Sequence, residues 1–226
     1  MKTAAHSVIV ALVAAALSVA VTCARGQAVA VKGGTYGAGV EFEYGLGSHF
    51  GARLQLDGGT ISHSVNKTSV DYSGHFRFEN ALALADWHPF ADSWRMSAGI
   101  VYNDNRIELT GTPTSGTFKI NGNTYPAASV GSLHGRLDFN RAAPYLGTGW
   151  GISPRGKGFF GSLDLGVSWQ PQHVSLTGVC GAPIQGTPAC NQLQIDVAAE
   201  QANLQDRAHV FRWWPVLQFG FGWRFF

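Results

Sequence analysis

Charge is sparse in this chain. Asp, Glu, Lys and Arg make up 13% of its 226 residues, and the formal net charge is +2. A nucleic-acid binder needs a basic stripe to neutralise phosphates; none is present, so no nucleic-acid partner is expected. Cysteine is scarce, with three in all. No second cysteine pair or histidine cluster completes the four ligands of a zinc site, so no metal or other cofactor is expected. Glycine pairs such as Gly33-Gly34 carry no phosphate-loop pattern. The histidines His63, His75, His88, His134, His173 and His209 are scattered, and none sits in a motif that fixes a nucleophile beside a base. The chain is therefore not read as an enzyme. Beyond Val21 no apolar run is long enough to cross a bilayer as a helix.

The N-terminus does carry a targeting pattern. Lys2 precedes a charge-free apolar run over residues 8–21, followed by small residues and Arg25, the order of a secretory signal. Residues 1–24 are assigned to that signal, with cleavage as late as 28 also compatible, and 27–226 to one mature domain. Export places Cys180 and Cys190 in an oxidising compartment, and a disulfide pinning their Gly/Pro-rich segment is the natural reading.

Aromatics and glycines are plentiful, and they alternate. In the last stretch Leu217, Phe219, Phe221, Trp223 and Phe225 stand against Gln218, Gly220, Gly222 and Arg224, a period of two with one face almost wholly aromatic. That face is too apolar for one side of a soluble sheet. The run resembles the closing strand of bacterial outer-membrane barrels, which Phe219, Phe221, Trp223, Phe225 and Phe226 would present to the barrel-assembly machinery. Phe226 lies one residue beyond the phase of the others.

The same alternation recurs upstream. Ala38, Val40, Phe42 and Tyr44 oppose Gly39, Glu41 and Glu43; Ala52, Leu54 and Leu56 oppose Arg53, Gln55 and Asp57. Phe76, Phe78, Leu82 and Leu84 are set against Arg77, Glu79, Ala81 and Ala83, and Trp94, Met96, Ala98 and Ile100 against Arg95, Ser97 and Gly99. Leu137 and Phe139 lead into Ala143 to Gly147, and Leu163, Leu165 and Val167 oppose Asp164 and Gly166. Seven clear strands plus a short first one over residues 27–34 give eight, because both ends on one side require an even number. Short turns alternate with long excursions, notably 111–132 and 170–212, the second with helix formers over 197–207.

The expected fold is all-β: a transmembrane antiparallel up-and-down β-barrel of eight strands, with long extracellular loops and short periplasmic turns. It would sit among outer-membrane lipid in a Gram-negative bacterium. A soluble barrel would have to hold the aromatic face inside. The inward face then carries Glu41, Glu43, Arg53, Arg77, Glu79, Arg95, Asp164 and Arg224. Eight strands leave an interior that side chains just fill, so these charges must pair into a plug or flank a narrow path. The inward glycines Gly37, Gly39, Gly99, Gly220 and Gly222 leave some room.

Several short segments carry a family likeness: Asp86-Trp87-His88-Pro89-Phe90, Arg95 to Gly99, Tyr102 to Asn105, Lys119 to Tyr125 and Ala143 to Gly147. They resemble small proteobacterial outer-membrane proteins of the CarO type, associated with ornithine uptake and carbapenem susceptibility. The resemblance implies an eight-stranded barrel passing small polar solutes such as amino acids. The alternative is a structural or adhesive barrel that acts through its extracellular loops, with the lumen plugged.

Overall fold

The computed structural model describes residues 27–66, 70–151 and 157–225. Residues 1–26, which include the expected signal segment, residues 67–69 and 152–156, and Phe226 lie outside these residues. Eight strands form a closed ring: β1 (Gln27–Gly34), β2 (Gly37–Gly45), β3 (Phe50–Asn66), β4 (Val70–Trp87), β5 (Trp94–Asn103), β10 (Ala142–Trp150), β11 (Gly158–Trp169) and β13 (Trp213–Arg224). Every pairing is antiparallel. The ring closes through β1, where Ala28 stands opposite both Glu43 of β2 and Arg224 of β13. The expected first strand is thus present with the expected bounds.

Barrel closure follows from the period-two pattern. Outward positions expose Val31 at 65%, Phe159 at 72% and Phe221 at 65%, large apolar side chains that water would not tolerate in such number. Phe159 and Phe221 stack across the β11–β13 seam with ring centroids 6.3 Å apart. Among the described residues no helix is long and apolar enough to cross a membrane. The strands therefore form the spanning element, and closure leaves no open edge in lipid.

The excursions are not loose loops. β3 and β4 continue well above the ring, and the upper part of β4 leaves β5 to pair with β6 (Arg106–Pro113). β6 pairs with β9 (Val130–Phe139), which pairs with β12 (Gln172–Cys180). An outer sheet in the order β12-β9-β6-β4-β3 thus rises from one side of the barrel. A small hairpin, β7 (Thr117–Ile120) and β8 (Asn123–Pro126), crosses over to α1 (Pro188–Ala208). The helix is longer than the 197–207 expected. Pro188 opens it, where a missing N–H costs nothing. Leu193 and Val197 of α1 are buried with Ile120 and Val130, against Leu133 and Leu176. The disulfide Cys180–Cys190 joins the end of β12 to the first turn of α1.

Two strand assignments are corrected. Leu137 and Phe139 belong to β9 in the outer sheet, and the barrel strand begins only at Ala142. In β4 the parity is reversed: Asn80, Leu82, Leu84 and Asp86 are buried inside, while Ala81, Ala83 and Ala85 share the outward face with Trp87. The lower part of β4 is apolar on both faces, so local alternation could not say which face was which. Phe76 and Phe78 lie above the ring, where the inner face is the apolar one because the outer face meets water.

Candidate functional site: the barrel interior

The lower lumen is filled by one ionic cluster. Its centre is Arg53 of β3, 1% exposed. Arg53 Nε donates to Asp86 Oδ2 at 2.6 Å and Nη2 to Asp86 Oδ1 at 3.0 Å. Nη1 donates to Glu41 Oε2 at 2.9 Å and to Asp164 Oδ1 at 3.1 Å, and Nη2 also reaches Ser97 Oγ at 2.9 Å. Each N–H direction of the guanidinium fork is thereby used, which suits a planar, permanently charged group to a buried position. Ser97 in turn donates to Asp86 Oδ1 at 2.6 Å.

Two more cations complete the balance. Lys32 of β1 lies 3.4 Å from Glu41 and donates to Asp164 Oδ2 and, at 3.1 Å, to Ser162 Oγ. Arg95 Nη2 of β5 donates to Asp164 Oδ1 at 2.6 Å. Three cations (Lys32, Arg53, Arg95) meet three carboxylates (Glu41, Asp86, Asp164), so the cluster is neutral. Neutrality and mutual pairing are what permit charges in a buried interior. Arg95 is the loosest member, since among the described residues its Nε and Nη1 have no hydrogen-bond partner.

A polar group and an apolar one are buried with the cluster. Gln55 donates to both oxygens of Asp57, at 2.9 and 2.7 Å, and to Gln218 Oε1 at 2.7 Å. Tyr36, Leu82, Leu84, Val101, Ala143, Tyr145 and Val216 form a buried apolar group that reaches across the ring from β4 to β13. The Tyr36 hydroxyl donates to Ser168 Oγ at 2.7 Å.

Neighbouring side chains crowd several of the inward glycines. A Cβ on Gly220 would come within 2.5 Å of Lys32 and Ser162, and one on Gly166 within 2.5 Å of the Tyr145 hydroxyl. A Cβ on Gly222 would meet the Phe160 ring at 2.5 Å. The space each glycine leaves is occupied by a large neighbour.

Of the expected lumen charges, Glu41, Arg53, Arg95 and Asp164 come together. Glu43 and Arg224 are also buried inside, near the barrel end where β1 begins and β13 ends, and at one level through Ala28. Arg77 and Glu79 are a correction: they pair with each other on the outer face, with side chains about half exposed. They followed β4's reversed parity out of the lumen. Lys32 and Asp86 were missed. The alternation of Lys32 with Val31 and Gly33 held a signal for the first, and its strand was the shortest and least patterned. For Asp86 the misassigned face of Leu82 and Leu84 hid the signal.

Among the described residues no group of three or more His, Cys, Asp or Glu could hold a metal ion. Two exposed serine–histidine contacts occur in the outer sheet, Ser62 with His75 at 3.0 Å and Ser132 with His134 at 2.9 Å. Among the described residues no carboxylate hydrogen-bonds either ring, the contact that would orient the base of a nucleophilic site.

These features define a transmembrane, antiparallel, eight-stranded up-and-down barrel with a filled interior and an ordered outer sheet. No protein-family model matches the chain, and no curated protein matches it. Among solved structures it is similar to the crystal structure of Acinetobacter baumannii CarO, with 21% identity over 88% of this chain and 97% of that one and a TM-score of 0.59. It is similar also to Acinetobacter baumannii CarO2, with 21% identity over 88% of this chain and 98% of that one and a TM-score of 0.60. At this identity the likeness is one of fold.

Proposed function

We propose that this chain is an outer-membrane barrel with a closed lumen, which acts as a surface-binding barrel through its outer sheet and helix. The observation that carries the reading is the packed interior: a neutral network of six charges, each with an ionic partner, beside a buried apolar group that includes Tyr36 and Tyr145. A path for polar solutes needs a continuous wet surface, and side chains buried against one another in this way leave little of one. Outer-membrane location rests on the apolar outward belt and the barrel fold shared with the CarO structures. The extracellular region supports the second half of the reading. It has its own core, a disulfide and a helix, which is more structure than loops need merely to connect strands.

The test is planar-bilayer recording of the purified protein, with folding confirmed by its heat-dependent gel shift. Silent bilayers are expected. Steady unitary conductance from folded protein would reinstate the narrow channel for small polar solutes as the function.

A further inference from the structure

The outer sheet has two free edges, and the chain treats them oppositely. At the β12 edge, glutamines of α1 take up the backbone groups that a neighbouring strand would use. Gln205 Nε2 donates to Gln172 O at 2.9 Å, and Val174 N donates to Gln205 Oε1 at 2.7 Å. Leu176 N donates to Gln201 Oε1 at 3.0 Å, and Gln194 Nε2 donates to Gly178 O at 2.8 Å. Every second residue of the strand, 172, 174, 176 and 178, is therefore closed by a side-chain amide. The spacings of seven and four place these glutamines on one helix face. Exposed edges recruit other strands unless they are covered, charged or broken. Here one edge is covered along its length.

The β3 edge has none of these devices. β2 leaves β3 after the pair Ala38–Gly58, and among the described residues no strand pairs with residues 59–66 on that side. The sequence there, Gly59-Thr60-Ile61-Ser62-His63-Ser64-Val65-Asn66, contains no proline, no lysine and no acidic residue. An apolar row also runs up to this edge without ending in a polar residue: Val174, Leu137, Ile107, Phe76 and Ile61 are successive cross-strand neighbours over all five strands. Ile61 at the end of the row is 59% exposed.

We propose that the free β3 edge is a docking site for an extended polypeptide segment of a partner protein, which adds a sixth strand to the outer sheet. This deepens the surface-binding reading and rests on it. Backbone pairing supplies the affinity, and the side-chain row supplies the preference. The segment alternates apolar with small polar residues, so that an apolar side chain continues the row beyond Ile61 while polar ones lie beside Thr60 and Ser62 on the wet face. A second copy in the same membrane fits poorly. Its β3 rises in the same direction, so two copies meeting about an axis along the membrane normal bring these edges together parallel, whereas every pairing in this sheet is antiparallel.

The test uses the full mature chain in lipid nanodiscs and a soluble, end-blocked peptide of alternating threonine and isoleucine. Two N-methylated versions accompany it, one methylated at the threonines and the other at the isoleucines. Binding of the plain peptide is expected. One methylated version should bind roughly tenfold or more weakly, the effect of losing two or three backbone hydrogen bonds, while the other binds nearly as well. Ile61→Lys should weaken the plain peptide by a similar factor while keeping the wild-type gel shift. No binding, equal weakening by both methylation patterns, or full binding to a folded Ile61→Lys variant would overturn the proposal. Disulfide-linked dimers of Ser62→Cys in nanodiscs would overturn the assignment of the occupant in favour of a second copy. Conductance measured on the same preparations reads the closed-lumen reading separately, so either idea can fail alone.

Discussion

Replacing Arg53 by methionine is the sharpest test of the closed interior. The side chain is similar in length, so the change removes charge and hydrogen bonds more than volume. Five hydrogen bonds are lost, and Glu41, Asp86 and Asp164 then face only Lys32 and Arg95. A neutral cluster becomes one with a net charge of −1 in a buried interior. Removing one partner of a buried ion pair typically costs about 3–5 kcal/mol. Arg95→Met should cost less, about 1.5–3 kcal/mol, the worth of a hydrogen bond between charged groups, because Arg95 makes one and two of its nitrogens have none. Denaturant unfolding in detergent micelles, read by the loss of the folded gel band, ranks the two. Adding Asp86→Leu to Arg53→Met should restore part of the loss by removing a stranded carboxylate, a coupling that a double-mutant cycle isolates. Wild-type stability of Arg53→Met, a larger cost for Arg95→Met, or strict additivity with Asp86→Leu would refute the account of a mutually paired plug.

Further expectations concern the outer region and the terminal strand. Asp196 of α1 accepts hydrogen bonds from Tyr125, from Asn123 at 2.8 Å and from Asn121 at 3.3 Å, and these hold its carboxyl below the usual carboxylate range, with the Tyr125 bond foremost. A depressed value stabilises above the unfolded carboxylate pKa of about 3.9 and is lost as pH falls through the folded value. Amide exchange in β7 and β8 should therefore rise in acid, and Asp196→Asn should show that exchange already at neutral pH. Replacing both Cys180 and Cys190 by serine removes a cross-link worth about 2–4 kcal/mol locally; the barrel should still insert, while the segment between β12 and α1 becomes protease-sensitive. Deleting Phe225 and Phe226 should lower the amount of folded protein in the outer membrane, measured by fractionation and gel shift, and unchanged levels would count against a role for the terminal aromatics in assembly.

The sequence alone determined that this chain is an eight-stranded barrel whose strands set apolar side chains on one face against charged ones on the other. The reason is that a period of two is a local property: Phe42 and Glu43, or Trp94 and Arg95, cannot face the same side of a strand. It also pointed to the pairing of Cys180 with Cys190, because both lie in one short Gly/Pro-rich segment. Tertiary structure alone decided the rest. Alternation separates two faces but does not label them, so the position of Arg77 and Glu79 depended on how β4 sits in the ring and on where lipid gives way to water. Partners such as Lys32 with Asp164 lie on strands separated by 132 positions in sequence, brought together only by closure and stagger. The long polar excursions became a sheet because β4 runs past the end of β5 and offers its upper edge to β6, a pairing between segments whose individual patterns were too short to announce it.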